Sequence, residues 1–212
     1  RTRENLVVCL GTVAGHLPPT DPRVAHAAEQ VVLAARETPS EAVQRAAARC
    51  LSPLAPSLAG REEAVIQSLT AVLFATDTSY GERRGAAYAV AGLAQGFGLR
   101  ALKRLGLVDT LRAAVADEKA SPRRRQGALL AFETLALLLR SLFEPYTVRV
   151  LPLLLAGMSD SSPEVRDACW AAARAMMGEV SSHGVKLILP ALLAGLDDRA
   201  WRTKVGAAEV LG

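Results

Sequence analysis

The chain has 212 residues, half of them hydrophobic but only 4% aromatic, and 25 Lys and Arg against 21 Asp and Glu leave a formal net charge of +4. Ala, Leu and Val carry the apolar load, a composition suited to close helix packing, so an all-α fold is expected. The longest apolar stretches are interrupted by Glu133, Arg149 and Pro152, which argues against an unbroken membrane span of about 18 residues, and the start of the chain lacks the basic-then-apolar pattern of a signal peptide.

Taken in order, the elements are helical hairpins. Residues 4–17 read as the second helix of a truncated hairpin, ended by Pro18-Pro19, which cannot continue a helix. Asp21-Pro22 is an N-cap followed by proline at the first helical position, and Val24, Ala27, Ala28, Val31 and Val32 keep one apolar face to about Ala35. Residues 40–54 are its partner. A first helix over 62–76 and a second over 81–95 follow, joined by a Thr-Asp-Thr-Ser linker. The next pair spans 99–115 and 121–139. The fifth spans 145–158 and 162–180, where Ser162-Pro163-Glu164 supplies a capping hydroxyl, a proline and a first-turn acid. The last is 183–196 with a helix from 198 onward.

These hairpins repeat. Arg3, Gln44, Arg84, Arg125, Arg166 and Arg202 fall in one phase, roughly 40 residues apart, the spacing of two-helix α-solenoid units. A hairpin of this kind cannot bury its apolar face alone, so stacking supplies the core and leaves a long exposed surface. About five hairpins, truncated at both ends and without polar capping repeats, are expected to form one array over 1–212, a piece of a longer solenoid whose end helices fray or self-associate. Gly85, Ala86, Ala87 and Ala89, like Ala171, Ala172, Ala173 and Ala175, leave room for close helix approach. An acid before the turn and a basic residue after it, as in Asp160 with Arg166 or Asp198 with Arg202, resembles HEAT repeats. There an arginine contacts carboxylates or carbonyls of the adjacent repeat, so Arg84, Arg125, Arg166 and Arg202 form a candidate structural ladder, suited to a planar five-donor head.

No catalytic or metal-binding pattern emerges. Cys9, Cys50 and Cys169 are widely spaced within apolar helices and are expected to be buried, reduced thiols. His16, His26 and His183 lie far from any Cys, Asp or Glu at metal-ligand spacing. Gly96-Phe97-Gly98 lacks the preceding strand and third glycine of a dinucleotide fingerprint, and is expected to end a helix. No cofactor is implied, and no enzymatic activity.

Three stretches carry a specific resemblance: SYGERRGAAYAVAGLAQGFG (79–98), RRRQGALLAFETL (123–135) leading into LFEPYTVRVLPLLLAGMSD (142–160), and HGVKLILPALLAGLDDRAWRTKVGAAEVLG (183–212). They closely resemble the central HEAT region of the general control translational activators, very large ribosome-associated proteins that help the initiation-factor-2α kinase respond to amino-acid starvation. Residues 1–78 match more loosely and fit by contiguity. That central region is in turn similar to the HEAT domain of fungal elongation factor three. The resemblance implies a cytoplasmic, non-catalytic scaffold that binds the ribosome and an ABC-family ATPase, with kinase binding through regions outside this chain.

The densest cations, Arg83-Arg84, Lys103-Arg104, Arg123-Arg124-Arg125 and Arg202 with Lys204, are the candidate contacts to ribosomal RNA phosphates or acidic ribosomal proteins. Neutralising phosphates releases counterions, so such contacts are salt-sensitive. All but Lys103-Arg104 open second helices. Few aromatics accompany them, which favours shape-driven contact over base stacking. Two other functions remain open from the residues alone: an adaptor for protein-only partners, and a passive spacer within a larger scaffold.

Overall fold

The computed structural model describes residues 2–211, without the side chains of Arg3 and Glu4; Arg3 as a phase position and Gly212 therefore lie outside the described residues. Twelve α-helices and two short 3-10 turns make up the described elements, with no strand among them. They fall into two compact units, residues 1–107 and 108–212.

In the first unit, α1 (Thr2–Gly15), α3 (Glu41–Leu54) and α5 (Tyr80–Phe97) pack one on the next, while α2 (Pro22–Glu37) and α4 (Glu62–Phe74) cover them. α2 starts as the sequence predicts: Asp21 accepts a hydrogen bond from the Arg23 backbone at 2.9 Å and Pro22 occupies the first turn. Its inward face is Val24, Ala27, Ala28, Val31 and Ala35, spaced for one helical stripe. Val32 is only half-buried. Ser79 and Glu82 close α5 with reciprocal hydrogen bonds of 3.2 and 2.7 Å, a capping box. Small residues set the depth of the α5 contact. A Cβ at Gly92 would stand 2.3 Å from the Ala48 carbonyl oxygen, and one at Gly85 would stand 2.0 Å from that of Ala35. Of the Gly-Phe-Gly run only Gly98 terminates the helix, at φ +81.

The expected single helix over 99–115 is two: α6 (Leu99–Arg104), closing the first unit, and α7 (Leu107–Ala116). Gly106, at φ +59, turns the chain between them in a conformation that favours glycine.

In the second unit, α8 (Pro122–Leu139) packs on α10 (Pro163–Met177), α9 (Glu144–Gly157) on α11 (Ser182–Leu196), and α12 (Trp201–Leu211) on α9, α10 and α11. Phe132, Phe143, Leu129, Leu151 and Leu154 are almost fully buried there, each contributing about 1.5–3 kcal/mol on leaving water. Ala172 and Ala173 are buried at the α8 contact, while Ala171 and Ala175 are half-buried. Ser162 sits at the N-cap of α10, but its hydroxyl makes no capping bond; Asp160 accepts from the Ser162 backbone instead, at 2.8 Å. Pro122–Gly157 contains an 18-residue stretch apolar enough by composition to cross a membrane, yet 67% of that stretch is buried in the protein. Arg140, at φ +54, also breaks it into α8 and α9, a conformation costing a non-glycine residue about 1–3 kcal/mol.

Candidate functional site

The predicted cations are sorted by burial, and the sorting differs from cluster to cluster. In the first unit the capping box of α5 places Arg83 and Arg84 in its first turns. Arg83 is 4% exposed and donates to the Thr78 carbonyl, so this candidate surface contact is turned into the protein. Arg84 reaches the preceding hairpin: its Nε donates to Gln44 Oε1 at 2.7 Å and a terminal nitrogen to the Pro39 carbonyl at 2.9 Å. Its guanidinium also lies 5.4 Å from the Tyr80 ring centre.

Gln44 shares the phase of the arginines but not their charge. Fully buried, it donates to the Thr38 and Gly81 carbonyls, both at 2.8 Å, so it ties the turn before α3 to the start of α5. Beside it Glu41 pairs with Arg45 at 2.8 Å and accepts from the buried Tyr88 hydroxyl at 2.9 Å. The Arg45 hydrogen bond, with help from Tyr88 and Arg84, holds the Glu41 carboxyl below the usual carboxylate range. Burial pushes the Tyr88 phenol up. Lys103 and Arg104 are exposed at the end of α6, with Arg104 3.6 Å from Glu62.

In the second unit the triplet divides. Arg125 is buried and pairs with the Asp160 carboxylate, while Arg123 and Arg124 are exposed. Ser121 caps α8 by accepting from the Arg124 backbone at 3.2 Å, and no acid occupies the first turn. Cations there oppose the helix dipole, by a few tenths of a kcal/mol each. Arg166 donates to the Asp160 and Ser161 carbonyls at 2.8 and 3.0 Å, within its own turn. Arg202 lies over the adjacent Trp201 ring at 5.0 Å, and Arg202 and Lys204 are both exposed. Between them Thr203 is buried against the Ser159 hydroxyl at 2.7 Å.

The thiols differ from expectation. Cys169 is buried and pushed up to about 12 by desolvation, but Cys50 is only half-buried and Cys9 is exposed, on the face of α1 that also exposes Leu6 and Val13. His16, His26 and His183 are exposed. Among the described residues no group of His, Cys, Asp and Glu is arranged to hold a metal.

The sequence missed Gln44, Glu41 and Tyr88 as anchoring groups, and set Asp160 with Arg166 where the structure pairs its carboxylate with Arg125. Gln44 was in phase with the arginines, and Asp160 precedes a turn shared with Arg166; the Glu41–Tyr88 contact bridges 47 positions and leaves no local trace.

Within each unit, helical hairpins packed on one another, with Gln44 and Arg84 in the first and Arg125 in the second bracing the turns, define a helical-repeat protein. The chain belongs to the EF3 N-terminal HEAT repeat family, whose model matches residues 83–212. Over 99% of its length it is 49% identical to "Protein ILITYHIA" of Arabidopsis thaliana and 45% identical to "Stalled ribosome sensor GCN1" of Homo sapiens. It is 35% identical, over the same share, to "eIF-2-alpha kinase activator GCN1" of Saccharomyces cerevisiae. The chain spans 8% of the length of each of these relatives.

Proposed function

We propose that residues 1–212 act as one non-catalytic, cytoplasmic scaffold segment that contacts the ribosome, works beside an ABC-family ATPase, and supports initiation-factor-2α kinase activation in amino-acid starvation through regions outside this chain. The names of the relatives, a stalled ribosome sensor and a kinase activator, support this reading. The exposure of Arg123 and Arg124 at the N-terminus of an 18-residue helix, where Arg125 is buried against Asp160, supports the ribosome contact. Two guanidinium groups beside the positive end of a helix dipole make a phosphate-binding arrangement. Lys103, Arg104 and Lys204, also exposed, are secondary contacts.

The test is ribosome co-sedimentation across a salt series, comparing the native chain with Arg123→Glu/Arg124→Glu. Arg125 is left intact because its loss would unbalance a buried pair. Binding that falls with salt, and is lost in a variant with unchanged helicity, is the expected result. Equal pelleting of both proteins at every salt concentration would remove the electrostatic contact from the proposal.

A further inference from the structure

Four hydroxyl residues of the chain are followed by proline: Thr38, Ser52, Ser121 and Ser162. Proline has no N–H to offer, and the substrate clefts of proline-directed protein kinases require none there. A cation three residues beyond the hydroxyl adds charge selection to that docking. Only Ser121 has one, Arg124; the same position after the other three is Glu41, Ala55 or Val165. The structure separates them further. Thr38 is buried and Ser52 lies within α3, whereas Ser121 follows an exposed turn over residues 117–119.

A kinase takes its substrate as an extended segment, so the hydroxyl must come away from the helix start. From Asp117 to Arg124 no residue is buried, and burial resumes at Arg125. Ser121 is held by hydrogen bonds of 3.2 Å, from the Arg124 N–H to its hydroxyl and from the Arg125 N–H to its carbonyl. This surface segment can therefore open while the core stays closed, a local event that costs far less than unfolding the unit.

The first turn of α8 is also short of negative charge. α3, α5 and α10 carry an acid in their first turns, Glu41, Glu82 and Glu164. α8 carries none, and Arg123 and Arg124 are exposed there instead. A phosphoserine brings about −1.5 to −2 charges near neutral pH and three acceptor oxygens, which helix N–H groups and guanidinium forks bind.

We propose that Ser121 is the acceptor of a proline-directed protein kinase, and that its phosphate engages Arg123 and Arg124 and withdraws them from the ribosome. The second half rests on the ribosome reading above; the first does not. In the reaction the Ser121 Oγ attacks the γ-phosphorus of ATP, the new O–P bond replaces the one to the β-phosphate oxygen, ADP leaves, and the hydroxyl proton passes to a carboxylate of the kinase. Stability and binding then move in opposite senses, because a phosphate at the N-cap strengthens α8 while it occupies two cations.

Incubating the native chain with ATP and a purified cyclin-dependent kinase, followed by peptide mass spectrometry, is expected to place a phosphate on Ser121. Ser121→Asn keeps a capping oxygen without the nucleophile and should lose that uptake. The phosphorylated chain should melt about 2 °C above the unmodified one. In ribosome co-sedimentation its dependence of log K on log salt should be shallower by about two. No uptake, phosphate on another residue, or a lowered melting temperature overturns the assignment of Ser121. A phosphorylated chain that pellets like the unmodified one, while Arg123→Glu/Arg124→Glu does not pellet, overturns the control of binding. Where that double variant pellets like the native chain the ribosome reading itself has failed, and control of binding falls with it; the mass and the melt then decide the assignment of Ser121 by themselves.

Discussion

Asp160→Ala probes the most heavily buried ion pair among the described residues. The Arg125 and Asp160 side chains are 9% and 11% exposed, and the buried Arg125 Nε has no hydrogen-bond partner. The carboxylate is thus the chief compensation for a desolvated guanidinium. Removing it strands that charge, an effect of about 3–5 kcal/mol, and also removes the acceptor for the Ser162 backbone, worth about 1 kcal/mol. With a urea slope of about 1–3 kcal/mol per M for a small unit, the midpoint for the second unit should fall by roughly 2 M. Asp109→Ala is the comparison, because it breaks the Arg149–Asp109 pair, whose side chains are 51% and 64% exposed, and should cost under about 1 kcal/mol. The double variant Arg125→Met/Asp160→Leu restores apolar packing at the site and is expected to recover most of the loss, so the single effects will not add. Urea titrations followed by far-UV circular dichroism measure all of these. An Asp160→Ala shift no larger than that of Asp109→Ala, or a double variant at the sum of its singles, would refute the stranded-charge reasoning.

Gly92→Ala should destabilise the first unit by about 1–3 kcal/mol in thermal or urea melts, because its Cβ would meet the Ala48 backbone oxygen at 2.3 Å, and backbone cannot rotate aside. Acid should weaken the same unit through Glu41. Its folded-state pKa lies below the usual 4.5, so its contribution is present above that value and is lost as pH falls through the folded pKa; melting temperatures of Glu41→Gln should therefore change less between about pH 5 and 3 than those of the native chain. A native chain and variant falling in parallel would count against this. Thiol labelling near neutral pH should modify Cys9 within the time taken by an unfolded peptide and leave Cys169 untouched until urea opens the second unit, because Cys169 is buried and its thiol is held near 12. Rapid native labelling of Cys169 would contradict its placement.

The legibility of the fold follows from how local its determinants are. The α2 boundaries were readable because Asp21, Pro22 and the Val24–Ala35 stripe act through neighbours one turn away. The break at Gly106 escaped because apolar periodicity runs through it on both sides, and a single glycine does not announce whether its φ will be positive. The exposure of Cys9 escaped for a related reason: an apolar helix has an inward face only where another element covers it, and that covering is not written in the helix.

Sequence alone determined most of the helices, their pairing into hairpins of about forty residues, the family, and the phase that puts Gln44, Arg84, Arg125 and Arg166 in the first turns of successive second helices, with Arg202 at the second residue of the last. Tertiary structure decided what each of them does. Arg84 reaches back to Gln44 and Pro39, Arg125 forward to Asp160, Arg166 into its own turn, and Arg202 onto Trp201. Helical period fixes the direction in which a side chain leaves its own axis, whereas its partner lies on another element some 35 to 45 residues distant in several of these pairs. Only packing brings that element within reach, and with it decides which cations are buried in pairs and which remain at the surface.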